Sequence, residues 1–174
     1  TLEQKDKKTS IDIIRLGTSG SVSAQNAMDS IVYSKAAISF EDLFQFYNHN
    51  FDTVDFDGRA YPVVPCSEGL ETKFTRYAPS LTLTAKGFYG PQFRNSQLLP
   101  KYTLDDIVGL RYGSQSVGNI EMETAGIYGL ASLLGFNAIS INALLADRLN
   151  GTFSKDPAAV VERMIEECLA ILCP

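Results

Sequence analysis

The chain has little cysteine, a single histidine, no long apolar run and no cluster of basic residues. Its three cysteines, Cys66, Cys168 and Cys173, are an odd number without metal-ligand spacing. No metal is expected, and a reducing cytoplasm is the expected compartment. The lone histidine, His49, lies in a polar loop that matches no motif, so a solvated loop residue is the expectation. No apolar stretch approaches the roughly 20 residues of a spanning helix, so no membrane segment is expected. The N-terminal residues 1–8 mix both charge signs and have no apolar region of the signal-peptide kind. A formal net charge of −5 without a basic patch argues against nucleic acid as a partner.

What is present describes one globular unit. At 174 residues, 45% of them hydrophobic, the chain suits a single domain, residues 1–174, with a sizeable core. Strands are expected at residues 11–16, 30–37, 81–86 and 138–146, alternating with helical segments. Residues 41–47 read as a short aromatic helical turn. Residues 103–112 read as a helix with Thr103 as N-cap and Asp106 three residues on, a variant capping box. The final helix has Asp156 as N-cap and Pro157 at its first position. Its apolar stripe comprises Val160, Val161, Met164, Ile165, Cys168, Leu169 and Leu172. Residues 48–79, rich in Pro, Gly, Asp and Ser, read as loop and irregular sheet.

Three segments carry chemistry. In the first, a buried strand at residues 11–16 runs into Gly17-Thr18-Ser19-Gly20, with Arg15 at its end. Glycines admit close backbone approach, hydroxyls donate, and a guanidinium matches phosphate bidentately. A strand-end ion pair is the plainer use of Arg15. In the second, Leu81-Thr82-Leu83-Thr84-Ala85 alternates as a strand does and empties into Gly87-Phe88-Tyr89-Gly90-Pro91-Gln92-Phe93-Arg94. There an amide and a guanidinium can satisfy a pyrimidine's N–H and carbonyl edge while an aromatic covers its face. In the third, Asn119-Ile120-Glu121-Met122-Glu123-Thr124-Ala125-Gly126 opens a segment with helical apolar spacing at Ile127, Leu130, Ala131 and Leu134, closed by Gly135. A fixed carboxylate accepts from vicinal sugar hydroxyls, and a thioether packs on the ring. A negative first turn complementing the helix dipole, followed by a core stripe, accounts slightly better for this octapeptide taken alone.

In this order the segments resemble the nucleoside phosphorylase superfamily, and within it the uridine phosphorylases. Arg15-Leu16-Gly17-Thr18-Ser19-Gly20 is similar to the family's phosphate segment. Phe88-Tyr89-Gly90-Pro91-Gln92-Phe93-Arg94 is similar to its uracil loop, and Asn119-Ile120-Glu121-Met122-Glu123 to its ribose segment. Leu144-Leu145-Ala146-Asp147-Arg148, at the end of the last strand, is a fourth match. The resemblance implies an α/β fold: a three-layer α/β/α sandwich around a central mixed sheet. It implies phosphorolysis of uridine to uracil and ribose 1-phosphate, with inorganic phosphate as cosubstrate and no other cofactor. The implied phosphate ligands are Arg15, Thr18, Ser19 and Gly20. The implied base ligands are Phe88, Gln92, Arg94 and Arg148, and the implied ribose ligands are Glu121, Met122 and Glu123. Arg15, Arg94 and Asp147 are the expected catalytic residues. A homodimer or homohexamer is implied as well.

The family's pattern also includes an N-terminal βα segment whose glycine-rich loop completes the phosphate site, and a histidine reaching a neighbouring subunit's ribose. Neither has a counterpart in this sequence, which reads as the C-terminal portion of such a domain. Phe93 stands where a small residue is usual between Gln and Arg. Two further readings follow: a nucleosidase or other-base phosphorylase of the same fold, and a nucleoside-binding or structural paralogue without turnover.

Overall fold

The strand expected over residues 11–16 does not stop at the glycines. In a computed structural model, which describes residues 10–94 and 97–173, β1 spans Asp12–Ser21. The charged stretch at residues 1–8 lies outside the described residues. Gly17-Thr18-Ser19-Gly20 is therefore strand and not loop. It is held parallel to β8 (Asn137–Asp147), with a register shift between Ser19 and Gly20. β2 (Ile31–Ser39) and β5 (Ala78–Thr84) fall where the sequence places them. Two features of the sheet lie outside those expectations. One is β7 (Gln115–Glu121), parallel to β5 and antiparallel to the end of β1. The other is a hairpin within the stretch read as loop and irregular sheet, β3 (Asp52–Phe56) with β4 (Arg59–Pro65). Its two-residue turn, Asp57-Gly58, has φ of 53° and 72°, the paired left-handed geometry for which Asp-Gly is suited.

The strand order is β3-β4-β2-β5-β7-β1-β8-β9, where β9 is Thr152–Phe153 and the two-residue β6 (Arg111–Tyr112) pairs with β7. β2 also pairs antiparallel with β8, from Ile31 opposite Ala143 to Tyr33 opposite Ile141. This second pairing closes β2-β5-β7-β1-β8 into a ring, so the mixed sheet curls on itself.

Side-chain alternation gives that ring two different surfaces. Inward lie Ser34, Ser80, Thr82, Asn119, Ser140 and Asn142, all buried, and their polar groups meet one another. Ser34 and Thr82 hydroxyls are 2.6 Å apart, Thr82 donates to Asn119 Oδ1 at 2.9 Å, and Asn142 donates to Ser34 Oγ at 3.0 Å. Outward lie two apolar clusters. One joins Ile139, Ile141 and Ala143 of β8 to Ala125 and Tyr128 of α3 (Thr124–Leu134) and to Val160, Met164 and Cys168 of α4 (Pro157–Leu172). The other joins Ile38, Leu81, Leu83, Val117 and Ile120 to Ile107 of α2 (Leu104–Val108). The layers are thus helix, sheet and a thin helical cover. A four-residue helix, α1 (Glu68–Glu71), supplies Leu70 to the first cluster.

Helix ends match their signals. The Asp156 carboxylate accepts from Ala159 N–H at 3.1 Å, and the Asp106 carboxylate accepts from Thr103 N–H at 2.7 Å. The helix after Thr103 is shorter than the sequence suggests, because Arg111 and Tyr112 turn back along β7. Residues 43–46 form a 3₁₀ turn. α3 buries Ala125, Tyr128, Gly129 and Ala131, while Leu134 is 63% exposed, so its inner face is rotated from the expected stripe. His49 is exposed but not free in solvent: its ring stacks on Phe51, centroids 4.7 Å apart.

Candidate functional site

The C-terminal ends of β1, β7 and β8 open onto a cleft of about 520 Å³. It is lined by Arg15, Thr18, Ser19 and Gly20 of β1, by Glu121, Met122 and Glu123 at the β7–α3 junction, by Phe88, Gln92 and Arg94, and by Arg148. All three sequence segments therefore meet in one concavity, although the outermost residues, Arg15 and Glu123, are 108 positions apart. Of the expected site residues, Asp147 alone is not in the lining. Its carboxylate accepts from the backbone N–H groups of Leu149 and Asn150 and from the Asn150 amide at 2.7 Å. That side-chain hydrogen bond holds the Asp147 carboxyl below the usual range. It caps the turn that follows β8.

At one end of the cleft Arg15 is held from several sides. Its Nη1 donates to Asn142 Oδ1 at 2.8 Å and Ser140 Oγ at 3.1 Å, and its Nη2 donates to Glu123 Oε2 at 2.5 Å. Glu121 Oε2 lies 3.2 Å from the same Nη2. Gly17, the next residue on this face of β1, leaves room for that guanidinium, which a Cβ would overlap. The strand-end ion pair weighed for Arg15 is thus present.

Glu121 is saturated. Oε1 accepts from Thr84 Oγ1 at 2.6 Å, and Oε2 accepts from the Glu123 and Thr124 N–H groups at 2.9 Å each. Burial raises its carboxyl above the ordinary range, and Arg15, Thr84 and the two N–H groups oppose that. Glu123 differs: its side chain is 47% exposed and its contact is Arg15. Glu123 is therefore the carboxylate available to a ligand, and Glu121 is the one that fixes Arg15 and the start of α3. Ser19 is committed as well, donating to Ile120 O at 3.0 Å and accepting from Asn119 Nδ2 at 2.7 Å. Thr18 is exposed on the cleft.

The other end is cationic. Gln92 is buried, and its Oε1 accepts from Arg148 Nη2 at 2.6 Å. The Arg94 guanidinium lies 3.8 Å over the Phe88 ring, and that of Arg148 is 5.9 Å from the same ring. Phe88, the aromatic expected to cover the base, thus carries the Arg94 guanidinium on its ring. Phe93 takes a left-handed φ of 58° at the end of the Gly90–Gln92 turn, and Arg94 follows directly. Burial lowers the Arg148 pKa to about 10, with Arg94 adding to the effect.

Sequence reasoning missed four groups. Phe153 of β9 lines the cleft, 5.9 Å from the Arg94 guanidinium. Thr84, Ser140 and Asn142 hold Glu121 and Arg15. Their signal was the alternation of hydroxyl and amide with apolar residues in β5 and β8, which marks a polar inner face. Among the described residues no group of three or more His, Cys, Asp or Glu could hold a metal ion, and no helix is long and apolar enough to cross a membrane.

Comparison with known proteins is consistent with this geometry. The model of the phosphorylase superfamily matches residues 10–173. A DeoD-type purine nucleoside phosphorylase from Buchnera aphidicola subsp. Acyrthosiphon pisum is 32% identical over 162 residues, covering 90% of this chain and 62% of its own length. A uridine phosphorylase from Thermococcus kodakarensis is 26% identical over 163 residues, covering 91% and 57% respectively. A Trypanosoma brucei nucleoside phosphorylase that shows uridine phosphorylase activity shares the fold with TM-score 0.75 at 20% identity, over 92% of this chain and 62% of that one. A uridine phosphorylase of the oomycete Phytophthora capsici gives 0.71 at 17%, over 95% and 66%. The chain spans 62% or less of the length of these curated relatives.

Proposed function

The chain belongs to the phosphorylase superfamily, and from that premise we propose that its cleft binds uridine and inorganic phosphate for phosphorolysis to uracil and ribose 1-phosphate. The observation that carries this reading is the division of the cleft. A half-exposed carboxylate that can accept from a sugar diol, Glu123, stands at one end paired with Arg15, and a buried amide with two guanidiniums stands at the other. A nucleoside laid between them sets its ribose over Met122 and its ring edge toward Gln92, Arg94 and Arg148.

Phosphate attacks C1′ as the glycosidic bond breaks, and the base departs with negative charge on its ring. Donors aimed at that ring stabilise it more in the transition state than in the ground state. Arg15 holds phosphate together with Thr18. Because Arg15 starts out paired with Glu123, a ribose diol that engages Glu123 frees the guanidinium for the anion, so sugar and phosphate bind cooperatively. Glu121, Ser140 and Asn142 keep Arg15 in place during the exchange.

A second reading, a purine nucleoside as substrate, is favoured by the 32% identity to a purine nucleoside phosphorylase. Calorimetric titration with uridine and with inosine in phosphate buffer separates the two. Uridine is expected to bind at least about tenfold more tightly, a difference of about 1.4 kcal/mol. Equal or stronger binding of inosine would sink the pyrimidine assignment.

A further inference from the structure

Charge is distributed unevenly along the cleft. Arg15, the expected anion ligand, faces two carboxylates. Arg94 and Arg148 face none: no ion pair among the described residues involves either. Both have a buried Nε without a hydrogen-bond partner among the described residues. Both lean on the same Phe88 ring. Arg148 is further confined because its stem packs over Gly20, where a Cβ would overlap it. Two like charges held together and partly desolvated are costly unless an anion joins them. Guanidiniums also match a planar oxyanion bidentately.

We propose that the Arg94–Arg148 end of the cleft is an anion site for a planar heterocycle bearing a carboxylate at its edge, so that an acidic pyrimidine is a better ligand here than neutral uracil. This rests on the proposed reading of the cleft as a base site and goes beyond it in the charge and orientation of the ligand: a free acidic pyrimidine, with no ribose on N1, can turn its carboxylate-bearing edge toward the guanidiniums. The carboxylate sits between the two guanidiniums. Gln92 retains its amide for a ring carbonyl, and the face of the ring lies near Phe153. Burial, and after it the neighbouring Arg94, push the Arg148 pKa down, and a carboxylate between the two guanidiniums opposes both effects.

The test is calorimetry on the 174-residue chain at constant ionic strength, with uracil, with orotate (uracil carrying a ring carboxylate) and with inorganic phosphate. Orotate is expected to bind at least about tenfold more tightly than uracil, in line with charge-assisted pairing to a guanidinium. In R148Q that preference should collapse to about threefold or less, and in R148K, which keeps the charge but not the fork, it should be intermediate. Thermal melts of each variant establish that it is folded. Uracil binding as well as orotate, or a preference unchanged in folded R148Q, overturns the proposal. Inorganic phosphate displacing orotate at equal concentration overturns the requirement for a planar ring. Uridine binding without an orotate preference refutes this inference and leaves the proposed function standing. Orotate preference without nucleoside binding does the reverse.

Discussion

Two carboxylates two residues apart, Glu121 and Glu123, have different work because one is buried and saturated and the other is half in solvent. Truncating them should therefore differ in kind. Glu121→Ala leaves a partly buried guanidinium short of a partner and two N–H groups unsatisfied, and should cost about 3 kcal/mol of folding stability, read from urea denaturation. Glu123→Ala should leave stability within about 0.5 kcal/mol, as expected for an exposed pair, and weaken nucleoside binding in calorimetry. The reverse pattern would mean the two roles are exchanged. Acid sensitivity follows from Asp147. Its carboxyl is held below the ordinary range by Asn150, so its stabilising contribution is complete above the unfolded-state pKa and lost as pH falls through the lowered folded-state value. Asp147→Asn should thus melt earlier than the parent at pH 7, with the gap closing at acidic pH. A gap independent of pH would contradict this. On the opposite sign, Glu121 has a raised carboxyl, so its ionisation weakens the fold as pH rises between the ordinary value and the raised one.

At the scale of elements, the segments legible in the sequence were those with one apolar face. β8 and α4 show their period plainly, and the caps at Asp156 and Thr103 mark helix starts. β7 did not show itself because its ladder with β5 slips between Val117 and Asn119, so its apolar Val117 and Ile120 lie three residues apart while Asn119 faces the inside of the closed ring. The same closure explains why the strand expected to end at Leu16 continues through Gly17-Thr18-Ser19-Gly20: Ser19 bonds across the ring, and Gly17 makes room for Arg15. The octapeptide at residues 119–126 was read as one helix start, yet it divides into the end of β7 and the start of α3 at Glu123. The hairpin had a legible Asp57-Gly58 signal, obscured by Pro62 and Pro65 in its second strand. Gly58→Ala, at a φ of 72°, should destabilise by about 1 kcal/mol in denaturant titration. No change would mean the turn relaxes to another geometry.

For the molecule as a whole, the site depends on ring closure, which brings strands distant in sequence to one mouth. The outer helices leave apolar surface: Leu133 and Leu134 at the end of α3, and Ile165 and Leu169 on α4, are 40–63% exposed. Exposed apolar side chains of this kind favour association. The 174-residue chain is expected to be a homo-oligomer in light scattering at micromolar concentration; a stable monomer would contradict that. The cleft itself is legible from sequence in its parts and not in its wiring. Segments 15–20, 88–94, 121–123 and residue 148 were each visible as chemistry, but the pairing of Arg15 with two carboxylates, and the lack of any carboxylate beside Arg94 and Arg148 among the described residues, emerged only from the fold. The most direct test of the central claim is a crystal structure of the chain soaked with uridine and phosphate. The uracil edge should lie within hydrogen-bond distance of Gln92 and Arg94, the ribose diol on Glu123, and phosphate beside Arg15 and Thr18. A nucleoside bound with its base toward Arg15 and its sugar toward Arg94, or bound outside this cleft, would contradict the account.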